Sequence, residues 1–155
     1  MANYDENKSK PQITRELFIR WRDARQQWDA EARNAVDFTL GNHYSSEESE
    51  ALQAVGQADF VIDRVYAAVD KLKSLLTARP ARFSAIARED SDNKLSNIWK
   101  TILEYIWDIS NGDTIFKQVV HDYAVTGLGY MYVYVDPESD YGRGEVKYTH
   151  IDPFR

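Results

Sequence analysis

The residues best suited to chemistry form an acidic turn in the last quarter of the sequence. Asp136, Glu138 and Asp140 occupy alternate positions, as the carboxylates of a calcium-binding loop do. However, Tyr141 stands where the sharp turn of such a loop needs glycine, and Lys147 stands where a bidentate glutamate closes the ligand shell. The pattern therefore predicts an acidic hairpin turn and no metal ion at this position.

Other reactive residue types occur singly. His43, His121 and His150 are far apart in the sequence and lack the spacing of a metal-binding pair, so each is expected to make a local hydrogen bond. Gly127 and Gly129 follow a helical pattern instead of a strand, which is the wrong order for a loop that binds phosphate. The sequence has no cysteine and no nucleophile elbow, so it predicts neither an enzyme nor a bound cofactor.

Composition limits the class of protein. The 155 residues are 43% hydrophobic and 28% charged, which is typical of a soluble globular domain or part of one. No apolar run approaches the roughly 18 residues of a membrane span, and the first residues lack the apolar core of a secretory signal. The lack of cysteine suits a reducing compartment. A net charge of -6 argues against tight, non-specific binding to DNA.

Apolar periodicity predicts four main helices, and a shorter helix begins at the capping-box pair Ser45 and Glu48. The main helices are expected near 13–40, 64–78, 92–110 and 114–126. The first helix has one apolar stripe, which is expected to be buried. Its members are Ile13, Leu17, Trp21, Ala24, Trp28, Ala32, Ala35 and Phe38.

A hairpin is predicted at about 130–151, after the last helix. The first strand alternates tyrosine with valine and methionine, so its two faces differ. The tyrosine face suits a partly solvated surface, and the face with Val133 and Val135 suits a core. The segment 82–88 also alternates loosely and is expected to form a strand.

Two features of these elements predict an interface between subunits. The helix at 92–110 is apolar around half of its circumference, which is more than one packing partner requires. The hairpin has an edge strand that no later sequence covers. The candidate interface residues are Trp99, Trp107, Tyr130, Tyr132 and Tyr134.

The predicted fold class is α+β, mainly α-helical, with a C-terminal antiparallel hairpin that belongs to an incomplete sheet. Residues 1–12 are polar and are expected to form a flexible tail, and residues 13–155 are expected to fold as one unit. A nucleic-acid-binding alternative rests on Arg79, Arg82 and Arg88, with Trp21 or Trp28 stacking on bases. The favoured interpretation is that the tryptophans are buried and that the arginines pair with carboxylates.

The order of the segments resembles the N-terminal part of the portal proteins of tailed bacteriophages, in particular the head-to-tail connectors of podoviruses. The resemblance covers residues 15 to 155. It rests on DFTLG, SSEESEALQAVGQ, FVIDRV, AAVDKLKSLLTARP and RFSAIAREDSD in this order, followed by GLGY and IDPF.

The resemblance implies a structural subunit of a homo-oligomeric ring of about twelve copies at one vertex of the capsid. Such a ring forms the channel for genome packaging and ejection, lets double-stranded DNA pass without tight binding, and connects head to tail. Its partners are the terminase motor, the capsid and scaffolding proteins, and the tail adaptor proteins.

The same resemblance assigns this chain to the wing of a portal subunit, without the stem and clip. The expected location is the virion, and the host cytoplasm during assembly. No catalytic residue, cofactor or metal is implied. The alternative is a stand-alone helical adaptor or regulator that binds other proteins. Such a module should be complete as written, with no exposed sheet edge.

Overall fold

The computed structural model describes residues 9–79, 81–89 and 92–155. Among these residues, five helices of nine or more residues are followed by an antiparallel hairpin, as the predicted fold class requires, and a four-residue helical turn, Ser139–Gly142, lies between the two strands of the hairpin. The helices are α1 (Lys10–Thr39), α2 (Ser46–Ala54), α3 (Arg64–Leu76), α4 (Asn93–Ile109) and α5 (Gly112–Thr126). The strands are β1 (Tyr130–Asp136) and β2 (Glu145–Ile151), paired from Tyr130 with Ile151 to Asp136 with Glu145.

Local sequence explains where the first three helices begin. Ser9 caps α1, its backbone N–H donating to the side chain of Gln12 at 3.0 Å. Ser45 and Glu48 form the predicted capping box at α2, and the Asp63 carboxylate accepts from the Tyr66 N–H at 2.8 Å at the start of α3. Helix α1 starts three residues earlier than predicted. Most of the predicted tail, residues 1–8, lies outside the described residues.

The core lies between α4, α5 and β2, and Trp107 is at its centre. Only 7% of Trp107 is exposed, and its ring packs edge-on against Phe83 at 5.2 Å and against Tyr148 at 5.8 Å. Its Nε1–H donates to the Asp113 carboxylate at 3.0 Å. Gly112 has no room for a side chain, because a Cβ there would lie 2.1 Å from the Trp107 ring. Trp107 therefore holds the turn between α4 and α5 against the hairpin.

A second packing region joins the end of the sequence to α1. Trp28 Nε1–H donates to the Thr126 carbonyl at 2.9 Å, and the Trp28 ring lies 5.7 Å from the ring of Phe154. The Arg25 guanidinium lies over the Trp28 ring and donates a hydrogen bond to the Pro153 carbonyl. Pro153 is itself buried. These contacts fix the chain that leaves β2 against the middle of α1.

The predicted strand at 82–88 is wrong. Residues 81–87 are not assigned to a strand, and the sheet of the described residues contains β1 and β2 alone. Phe83 is held by the Trp107 ring, whereas Ile86 is 90% exposed. The small side chains of Ser84, Ala85 and Ala87 bury too little surface to hold the segment against a sheet.

The expectation that the apolar stripe of α1 is buried is correct for only some of its residues. Ala32 is buried and Trp28 is half-buried, but Trp21 is 67% exposed and Phe38 is exposed. Trp21 is exposed because α5 and the C-terminal residues contact α1 further along the helix. Among the described side-chain contacts, those with Thr126, Pro153 and Phe154 begin at Arg25.

Candidate subunit interface

The structure separates the five residues that the sequence singled out. Trp107 is inside the core of its own chain. Trp99 is 52% exposed and lies two turns earlier on α4. Tyr130 and Tyr132 are exposed and Tyr134 is half-buried on one face of β1. The five residues therefore do not form one cluster. Two separate surfaces remain, one on α4 and one on the hairpin.

The α4 surface is apolar and open. Leu95, Ile98 and Ile102 are exposed beside Trp99, although all four belong to the stripe that the periodicity predicted. Among the described residues, α4 contacts β2 and α5 near Trp107. Part of the wide apolar stripe of α4 is therefore not covered by the described residues. An exposed apolar surface of this kind is typical of a contact with another polypeptide.

The hairpin surface carries the tyrosines. The rings of Tyr132 and Tyr134 are stacked, with centroids 6.0 Å apart and planes at 6°. Tyr148 and His150 lie on the opposite face of the sheet, where they contact the helices. The tyrosine face therefore points away from the helical core. Rigid rings with polar tips are typical of protein interfaces.

The valine face of β1 is not the core face that was predicted. Val133 is exposed and Val135 is 64% exposed, although both share a face with Tyr148. Strand β2 lies next to α4 and α5, and β1 is the outer strand, so the helices cover the β2 side chains and stop short of the valines.

Among the described residues, the free edge of the sheet belongs to β1. The Tyr148 N–H donates to the Ser110 hydroxyl at 3.0 Å, so it points away from β1. Tyr148 pairs with Val133, and in an antiparallel ladder both members of such a pair direct their N–H and C=O groups outwards. Helix α4 thus protects one edge, while Val133 presents its backbone groups at the other.

The acidic turn is occupied by a side chain of the protein itself. The Lys147 ammonium donates to the Asp136 carboxylate at 2.8 Å, and the Ser139 hydroxyl donates to it at 2.7 Å. The bond to Lys147, followed by those to Ser139 and the Glu138 N–H, lowers the pKa of Asp136 to about 2. The same ion pair raises the pKa of Lys147. The Lys147 ammonium therefore occupies the Asp136 carboxylate, which a calcium ion would need as a ligand.

The backbone of this turn departs from that of a calcium loop. Asp140 and Tyr141 both have left-handed backbone angles, with φ of 50° and 55°. Within the described ranges, no group of three histidine or acidic side chains could hold a metal ion. The sequence pattern had no signal for the left-handed pair, because neither residue is glycine.

The predicted local hydrogen bonds are present for two histidines. The ring of His43 lies 3.0 Å from the Phe38 carbonyl, and Nε2 of His150 lies 2.5 Å from the Asp122 carboxylate. The second contact fastens β2 to α5. His121 Nδ1 is buried and has no hydrogen-bond partner among the described residues.

The exposed area is large for a chain of this size. The accessible surface is 12647 Å², whereas a compact monomer of 18.0 kDa would expose roughly 8,000 Å². Many large hydrophobic side chains contribute to this excess, on α1, α3, α4 and β1. The surface therefore fits a subunit that is covered by other polypeptide better than it fits a free monomer.

Comparison with known families identifies such a protein. Residues 15–154 match the family model of the phage P22-like portal protein. The chain belongs to this family. A search of curated proteins gave no match. The resemblance to phage portal proteins is thereby confirmed, and the podovirus type agrees with a P22-like family. Within the described residues of this portal protein, no helix is long and apolar enough to cross a membrane.

Proposed function

We propose that the protein is a subunit of the portal ring at one vertex of a phage capsid, where about twelve copies surround the channel for DNA. The ring would take up the genome during packaging, release it during ejection and join the head to the tail. The observation that carries this proposal is the match to the portal family over residues 15–154. A portal protein has a structural role, not an enzymatic one.

The large exposed apolar surface supports an assembled state. Trp99 on α4 and the tyrosines Tyr130, Tyr132 and Tyr134 on β1 are proposed to contact other polypeptide in the ring. Trp107 is left out of this surface because it is buried by its own chain. We place the chain in the wing of the subunit, since the resemblance is to that part of the family.

The charge of the chain suits a channel through which DNA slides. With a net charge of -6, few phosphates can be neutralised, so the affinity for duplex DNA should be low. The proposed partners are the terminase motor, the capsid and scaffolding proteins, and the tail adaptors. The protein would be found in virions and, during assembly, in the host cytoplasm. No observation favours the alternative of a stand-alone adaptor over membership of the portal family.

The proposal is tested in infected cells. Inactivation of the gene should yield capsids that contain no DNA, and a copy supplied in trans should restore packaging. Quantitative mass spectrometry of purified virions should find about twelve copies per particle, far fewer than of the shell protein. Absence of the protein from virions, or normal DNA-filled capsids without the gene, would refute the proposed function.

A further inference from the structure

The first half of α1 projects from the body of the protein. We call residues 9–24 the arm. Every residue of the arm is exposed except Ile13 and Leu17, which are half-buried. Large apolar side chains, Phe18 and Trp21, are among the exposed ones. Basic side chains lie among them, and the segment Lys10–Asp23 contains four basic residues and two acidic ones. The arm is thus a basic helix with uncovered aromatic residues.

An acidic apolar surface lies at the other end of α1. We call residues 40–62 the acidic end. It contains four acidic residues, Glu47, Glu48, Glu50 and Asp59, and no lysine or arginine. Leu40, Tyr44, Val55, Phe60 and Ile62 are exposed there, and Phe60 is 72% exposed. The arm and the acidic end are therefore both apolar, and their charges are opposite.

The two surfaces are too far apart to meet within one chain. From Trp21 to Leu40, nineteen residues of helix rise by about 28 Å at 1.5 Å per residue. The acidic end does not pack along α1, since α2, its main element, is not among the principal packing partners of α1 within the described residues. It leaves at Gly41 and returns at Asp63, and a Cβ on Gly41 would lie 3.9 Å from the Asp63 carboxylate. The acidic end therefore begins and ends near the C-terminus of α1, whereas the arm is at the N-terminus of this helix.

We propose that the arm of one subunit packs on the acidic end of the next copy in the ring. Two different, complementary surfaces at opposite ends of one molecule make a head-to-tail contact, and such contacts generate closed rings when the rotation closes. The opposite charges favour a second copy of this chain as the occupant, because each surface supplies what the other lacks. This inference rests on the proposed function, and it names the two surfaces that form the contact between neighbouring subunits of the ring.

The test reverses charge on each surface of the full gene product. One variant carries Arg15→Glu and Arg20→Glu on the arm, and the other carries Glu47→Lys and Glu50→Lys on the acidic end. All four side chains are exposed, and the capping residue Glu48 is left intact. Each variant should raise the concentration for half-assembly about tenfold or more, measured by analytical ultracentrifugation at low salt.

The variant with all four substitutions should recover most of the assembly, because the charges are then exchanged between the surfaces. A matched control, Lys71→Glu with Lys117→Glu on α3 and α5, changes the net charge as the arm variant does and should assemble like the wild type. Trp21→Ser should weaken assembly without a change in charge. Far-UV circular dichroism checks that each variant is folded.

The outcomes separate the two proposals. If both charge-reversal variants and Trp21→Ser form rings like the wild type, or if the four-fold variant recovers nothing, the contact between the arm and the acidic end is refuted while the portal function stands. If the wild type itself forms no ring, the proposed function is refuted, and this inference is refuted with it.

Discussion

Replacing Trp107 by alanine should destabilise the protein severely, because this residue is the centre of its small core. A buried tryptophan removes about 150–250 Å² from water, which corresponds to roughly 4–6 kcal/mol at 25 cal/mol per Å². The bond to Asp113 lies near the surface, so its loss adds at most about 1 kcal/mol. Partial collapse of Phe83 and Tyr148 into the cavity reduces the total, and we expect a loss of about 3–5 kcal/mol.

The assay is urea denaturation followed by far-UV circular dichroism, with Trp99→Ala as the matched control. Both residues lie on α4, so the change in helix propensity is the same. Trp99 is 52% exposed, and its replacement should cost less than about 1.5 kcal/mol. If Trp107→Ala and Trp99→Ala have the same free energy of unfolding, Trp107 does not form the core. A Trp107→Ala variant that stays stable but no longer assembles would place it at a subunit contact instead.

Three further predictions concern the turn between α4 and α5, the acidic turn and DNA. Gly112→Ala should lower the free energy of unfolding by at least about 2 kcal/mol in the same urea assay, because the new Cβ overlaps the Trp107 ring; unchanged stability would contradict this packing. The Asp136–Lys147 pair should stabilise the hairpin above about pH 4 and stop doing so as the pH falls through about 2, because folding lowers the pKa of Asp136. The difference in melting temperature between the wild type and Asp136→Asn should therefore shrink between pH 4 and pH 2, and a constant difference would contradict it. Fluorescence anisotropy should detect little binding of duplex DNA at physiological salt, and a submicromolar, salt-dependent affinity would favour the nucleic-acid-binding alternative.

The helices follow from the sequence because their signals are local. The capping box of Ser45 and Glu48 and the Asp63 cap involve residues three positions apart, so no knowledge of the rest of the fold is needed. The alternation of β1 and the turn after it likewise predict a hairpin. The fold class and the types of these elements were predictable for this reason, whereas the strand expected at 82–88, which had no such cap or turn signal, was not found.

Burial was less predictable, because it depends on what the fold places opposite each residue. Trp21 and Trp28 occupy equivalent positions on the same stripe, yet only Trp28 meets Thr126 and Phe154. Trp107 and Trp99 likewise share a helix and differ in exposure. Periodicity identifies the apolar side of a helix but does not say how much of its length is covered. The arm was missed for this reason, although Phe18 lies three residues before Trp21 and widens the apolar side of this half of the helix.

The most direct test of the portal assignment is the symmetry of the purified full gene product. Native mass spectrometry and cryo-electron microscopy should find a closed ring with cyclic symmetry and about twelve subunits around a central channel. A protein that remains monomeric at high concentration, or that forms only open filaments, would contradict it.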